Sequence, residues 1–126
     1  MVTLKDLTTP VKSNWCPGCG NFGILTAVKG ALVELGLEKE QVVIVSGIGC
    51  HGKIVNYVDV NGFHGIHGRV LPVATGIKLA NPELTVIGFA GDADQYDEGW
   101  DHFCHALRRN VDMTLIVHDN QILGLT

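Results

Sequence analysis

The stretch LTVIGFAGDADQYDEGW, residues 84–100, decides the fold. Its first part, LTVIGFA (84–90), is short, rich in β-branched residues and apolar throughout, the composition of a strand covered on both faces. Gly91 and Asp92 break the run, and a helical pattern follows from about 97 to 109. Asp97 and Glu98 stand at its start and Arg108 and Arg109 at its end, the order that suits a helix dipole. Trp100, Phe103, Cys104 and Leu107 recur at helical spacing and predict a buried stripe with Cys104 as a core cysteine. A buried strand that turns through Gly-Asp into a helix is one crossover unit of a parallel sheet.

Outward from that unit the pattern repeats. VVIVS (42–46) and MTLIVH (113–118) are two further apolar runs. Residues 22–35 form a helical segment with Phe22, Leu25, Ala27, Val28, Leu32 and Leu35 near one face, and Gly36 stands where a helix is closed. Residues 68–80 form another, with Ala74, Gly76 and Ala80 small enough for close packing. The chain therefore reads helix, strand, helix, strand, helix, strand. This is an α/β fold, an open parallel sheet with helical crossovers, in one domain over 1–126. Its ligand loops should leave the carboxyl ends of the strands.

Composition narrows the partners. Hydrophobic residues make up 46% and charged residues 17%, which suits a packed globular chain, and the formal charge of −4 with no basic run argues against nucleic acid. Every apolar stretch is interrupted before membrane-spanning length, so no membrane is expected. The opening residues MVTLKDLTTPVKSNW lack the apolar core of a secretory signal. Four cysteines without such a signal predict a cytoplasmic chain whose thiols serve metal or redox chemistry.

Each strand ends in a distinctive loop. GIGCHGK (47–53) offers glycine-freed N–H groups and a thiol; GDADQYDEG (91–99) offers carboxylates; DNQILGLT (119–126) offers an amide and carbonyls. A hard dication bridging a diphosphate takes oxygen ligands. The carboxylate of Asp92, the side-chain carbonyl of Asn120 and the backbone carbonyl of Ile122 can supply them; the alternative is that Asp92 only caps the following helix. In NWCPGCGNFG (14–23), Cys16 and Cys19 stand in a proline–glycine corner. The pair is open to reading as a redox dithiol, half of a zinc site or part of an iron–sulfur site, although no strand precedes it as in thioredoxin-like sites.

The GDAD…DN pair, with Asn120 28 positions after Asp92, resembles the diphosphate-binding motif of thiamine diphosphate enzymes. Taken with WCPGCGNFG, SGIGC and GFHGIHGRVLPVATGIKLANPELTVIGFAGD, the chain is similar to the β subunits of 2-oxoacid:ferredoxin oxidoreductases. The resemblance runs from Trp15 onward. It implies coenzyme A-dependent oxidative decarboxylation of a 2-oxoacid, pyruvate or 2-oxoglutarate, with electrons passed through a [4Fe–4S] cluster to ferredoxin. The cofactors implied are thiamine diphosphate, magnesium and that cluster; the partners are an α subunit and ferredoxin.

By residue, the resemblance implies magnesium on Asp92, Asn120 and Ile122, and cofactor contacts from Ile48, Gly49, Cys50, His51 and His67. Ala93 and Asp94, with Gly124 and Leu125, complete the diphosphate cradle. Cys16, Cys19 and Cys50 match cluster ligands, so residues 1–20 form a cluster-binding segment. The family commonly has glycine at the position of Ala93 and serine at that of His51. Its β subunits also run well past the position of Thr126 and carry the fourth cluster cysteine there, so a fragment or short form is expected.

His64, near His67, is a further cofactor-contact candidate, and Lys53 a candidate for a phosphate or carboxylate contact. His118 stands near the site without an assigned role, and His102 and His105 are surface candidates. Two other functions stay open on sequence: a non-redox thiamine diphosphate enzyme, and a non-catalytic truncated module.

Overall fold

The computed structural model describes residues 2–122, 124 and 125 of the chain. Four parallel strands form one sheet: β1 (Val42–Ser46), β2 (Asn61–His64), β3 (Thr85–Gly91) and β4 (Thr114–His118), in the spatial order β2-β1-β3-β4. The α/β class and the open parallel sheet are as the sequence predicts. Helix α1 (Asn21–Glu34) precedes β1, α2 (Val70–Ala80) links β2 to β3, and α3 (Trp100–Arg109) links β3 to β4.

Strand β2 is the element missing from the sequence reading. NGFH carries no apolar alternation, and all four residues are exposed at the sheet edge. What makes it a strand is its partner: Val43 to Ser46 of β1 pair in register with Asn61 to His64. The link from β1 to β2 is a 3-10 turn over His51–Asn56, not an α-helix.

The sheet is covered unequally. On one face Val42, Ile44 and Phe89 pack under Val28 and Leu32 of α1, joined by Leu7, Trp15, Ile54, Tyr57 and Val58. On the other, Val43, Val45, Val86 and Ala90 meet Val70 and Ala74 of α2. The alternation of β1 between these clusters is the period-2 rule for a strand buried on both sides. Helix α1 ends as its sequence suggests. Gly36 takes φ +65°, its N–H reaches the Val33 carbonyl, and the Leu37 N–H reaches the Leu32 carbonyl. Phe22 and Leu35, expected on the buried face, are 38% and 70% exposed; the α1 residues buried in the core beneath the helix are Val28 and Leu32, with Ile24, Leu25 and Val33 packed beside them.

The segment expected as one helix over 97–109 is two. Asp94–Glu98 make a π-helical turn, and α3 begins at Trp100. Its apolar stripe is not a core. Trp100 and Leu107 are more than half exposed, and Cys104 is exposed, against its expected burial. The reason is position: α3 leans on α2 and flanks β4, the last strand of the sheet, and among the described residues no element lies beyond β4 to cover it. No helix among the described residues is long and apolar enough to cross a membrane.

Candidate functional site

The strand ends are level. Ser46 pairs with His64 and with Phe89, and Gly91 with His118, so the loops after all four strands leave one edge of the sheet together. Between them lies an open cleft. The 47–50 loop supplies Ile48, Gly49 and Cys50, with His51 next to it; the β3 loop supplies Asp92, Ala93 and Asp94; the β4 loop supplies Asn120, Ile122 and Gly124. His67, Asn21 and His118 complete the wall. Most of the residues singled out on sequence thus meet in one place. Leu125 and Lys53 do not line the cleft.

Asp92 is half-buried, and its carboxylate meets no donor or cation among the described residues. It caps nothing: the π turn is capped at Ala93 and α3 at Gly99, neither with a side-chain bond. A carboxylate without a partner at a cleft is available to a hard cation, which takes oxygen ligands. Asn120 is exposed, and its Oδ1 accepts the Ile122 N–H at 3.1 Å, which leaves that oxygen a second lone pair. Ala93 has φ −67°, an ordinary helical value, so the side chain in place of glycine adds no backbone strain. Gly49, at φ +140°, cannot be replaced in the same way, since a Cβ there would press on the His51 ring.

Asp94 and His51 both line the cleft, but their side chains are engaged with the protein. The Asp94 side chain is buried: Oδ2 accepts the His51 Nε2–H at 2.9 Å, and Oδ1 accepts the Gly68 N–H at 2.5 Å. His67 Nδ1 lies 3.6 Å from the same Oδ1 and donates to the Ile48 carbonyl at 3.2 Å. Both oxygens of Asp94 are therefore spent inside the protein. Its carboxylate ties three segments of the cleft wall together and is not free for a cradle contact.

His118 and Asn21 are what sequence reasoning left unassigned or missed. Asn21, the first residue of α1, accepts the His118 Nδ1–H on Oδ1 at 2.8 Å. That bond leaves Nε2 as the lone-pair nitrogen, and Nε2 is buried without a partner among the described residues. Phe89 meets the ring edge-on, with His51 tilted beside it, each 5.8 Å away by centroids. Burial, with a smaller contribution from His51, lowers the His118 pKa from 6.5 to about 4. The imidazole is thus neutral in the fold but binds a proton near pH 6.5 when unfolded, so lowering the pH from 6.5 towards 4 favours the unfolded chain. We expect urea midpoints to fall across that window, and to fall less in His118→Gln; parallel curves for the two chains would refute the assignment. No signal marks Asn21 in sequence, because its partner lies 97 residues away.

The cysteine corner is docked against this site. The Trp15 indole N–H donates to the Cys50 carbonyl at 2.7 Å, and its ring sits edge-on to Phe22 and Tyr57. Tyr57 in turn donates to Asn14 Oδ1 at 2.8 Å. Cys16 is exposed, Cys19 and Cys50 are half-buried, and all are free thiols. The loops are neighbours, but no three His, Cys, Asp or Glu side chains among the described residues are gathered as a metal site.

The cleft geometry has a counterpart in known proteins. Residues 47–126 match the model of the thiamine pyrophosphate enzyme family, C-terminal TPP binding domain, and the chain belongs to that family. More narrowly, it is 57% identical over 116 residues to the 2-oxoacid:ferredoxin oxidoreductase subunit beta of Saccharolobus solfataricus, covering 90% of this chain and 38% of that one. It is 45% identical over 122 residues to the 2-oxoglutarate oxidoreductase subunit KorB of Mycobacterium tuberculosis, covering 97% of this chain and 33% of that one. The structure superposes with TM-score 0.96 on a 2-oxoglutarate:ferredoxin oxidoreductase from Magnetococcus marinus with 2-oxoglutarate, coenzyme A and succinyl-CoA bound. That match has 43% identity and covers 98% of this chain and 43% of the other. The chain spans well under half the length of these relatives.

Proposed function

We propose that the cleft holds the diphosphate end of thiamine diphosphate with magnesium, and that the chain acts as the matching part of a 2-oxoacid:ferredoxin oxidoreductase β subunit. The reaction is coenzyme A-dependent oxidative decarboxylation of a 2-oxoacid, 2-oxoglutarate or pyruvate, with ferredoxin as electron acceptor. An α subunit completes the site. The observation that carries the reading is the partnerless Asp92 carboxylate facing a glycine-bearing loop across one cleft.

Asp92 would supply the anionic ligand to the cation, Asn120 Oδ1 and the Ile122 carbonyl the neutral ones. The backbone of 48–51 would receive phosphate oxygens through its N–H groups, while Asn21 and His118 shape the floor. Cys16, Cys19 and Cys50 are the thiols that would hold a [4Fe–4S] cluster, residues 1–20 bringing the first two. Their support is the Trp15 bond that seats the corner beside Cys50; the thiols must turn toward one another to share a cluster. When bound, thiamine diphosphate supplies the electron sink for decarboxylation and the cluster accepts single electrons.

Asp92→Asn tests the cleft. Calorimetric titration with thiamine diphosphate at saturating magnesium should show binding weakened on the order of 100-fold, at least the roughly 10–100-fold cost of losing an outer-sphere partner. Unchanged affinity would remove Asp92 from the metal site.

A further inference from the structure

The backbone of Ser46–Cys50 is partitioned by direction. Every carbonyl in it is already bonded. The Ser46 carbonyl accepts the Gly65 N–H at 2.8 Å, and the Gly49 carbonyl accepts the Gly52 N–H at 3.0 Å. His64 Nε2 donates to the Gly47 carbonyl at 3.1 Å, His67 Nδ1 to the Ile48 carbonyl at 3.2 Å, and Trp15 Nε1 to the Cys50 carbonyl at 2.7 Å. On the donor side, the Gly47 N–H goes to the Phe89 carbonyl at 3.2 Å. The N–H groups of Ile48, Gly49, Cys50 and His51 meet no acceptor among the described residues, and all four residues line the cleft.

In a planar trans peptide each carbonyl points opposite to the N–H of the next residue, so bonds that hold the carbonyls of 47–50 also set the direction of the N–H groups of 48–51. In a helix or sheet, backbone partners would do this. Here two of the holding groups are imidazoles from one segment, His64 at the end of β2 and His67 three residues on. Strand β2 carries no buried side chain, yet its pairing with β1 brings His64 level with Ser46, one residue before the carbonyl it binds. The space is closed as well: a Cβ on Gly52 would meet the Gly47 carbonyl and the His64 ring.

We infer that His64 is a positioning residue for anion binding: with His67 it pins the carbonyls of Gly47 and Ile48 outward, so that the N–H groups of 48–51 face the cleft as an anion receptor. Neither ring nitrogen used in this way needs to touch the anion. The inference rests on the reading of the cleft as a diphosphate site for the identity of the anion, but the bracket itself is a property of the free chain.

The test separates the two. In His64→Gln the amide nitrogen can stand where Nε2 stands and keep the bond; in His64→Leu no donor remains. With inorganic diphosphate and magnesium as the probe, calorimetry should give a Kd about tenfold weaker for His64→Leu and near wild type for His64→Gln, the size expected for one lost hydrogen bond. The amide 15N shift of Ile48, which reports the bond on the Gly47 carbonyl, should move in the ligand-free His64→Leu chain and be restored in His64→Gln. Equal Kd values and an unmoved Ile48 signal in His64→Leu would overturn the bracket. If wild type binds no diphosphate while the Ile48 signal moves as expected, the bracket stands and the diphosphate reading of the cleft falls.

Discussion

Replacing Asp94 with alanine should lower the unfolding free energy by about 3–5 kcal/mol, the cost of breaking a buried charge-assisted pair by removing one partner. The substitution strips the acceptor from the His51 Nε2–H and from the Gly68 N–H, which lie 2.9 and 2.5 Å from the two carboxylate oxygens. His51 is 6% exposed and Asp94 2%, so water does not readily replace the lost bonds. Asp94→Asn should fall between alanine and wild type: one amide oxygen still accepts, while the amide N–H₂ faces a donor. Urea unfolding of the three chains at constant m-value measures the order. A loss below about 1 kcal/mol for Asp94→Ala would show that the carboxylate is not the tie between these segments.

The second large effect is expected at Trp15. Trp15→Ala should cost about 3–5 kcal/mol, the usual range for deleting a buried large aromatic side chain. The ring is 7% exposed and packs edge-on against Phe22 and Tyr57, with centroids 5.3 and 4.8 Å away. Trp15→Phe keeps most of that packing but loses the 2.7 Å bond to the Cys50 carbonyl, and should cost about 1–2 kcal/mol. Limited proteolysis distinguishes the two parts of the role. Cleavage between residues 10 and 20 should accelerate strongly in Trp15→Ala and slightly in Trp15→Phe. Resistance in both, with unfolding midpoints unchanged, would mean that the corner is held by other contacts.

The family resemblance read from GDAD…DN and the cysteine corner agrees with the match over residues 47–126 and with the relatives. Within the site, the cleft-lining positions Ile48, Gly49, Cys50, Asp92 and Asn120 could be located on sequence because each follows an apolar run at a strand end. Asp94 could not be separated from Asp92 in the same way. Two carboxylates two residues apart look alike in sequence, but one is half-buried and partnerless while the other is buried beneath His51. The stripe on α3 shows the opposite error. Its periodicity is as regular as that of any core helix, and periodicity cannot say whether an element stands opposite.

By itself the sequence determined the parallel α/β class, the central strands, the closure of α1 at Gly36 and the loops that carry chemistry. These follow from local signals: apolar runs, helical spacing, and glycine where the backbone turns. Only the tertiary structure decided that NGFH is a strand, that the Trp100–Leu107 stripe is exposed, and that Asn21 sets the tautomer of His118 across 97 residues. Only it showed that His64, His67 and Trp15 hold successive parts of one loop. The physical reason is common to all of these. Pairing, burial and hydrogen-bond direction depend on what lies opposite in space, and that partner is set by the packing of the whole chain.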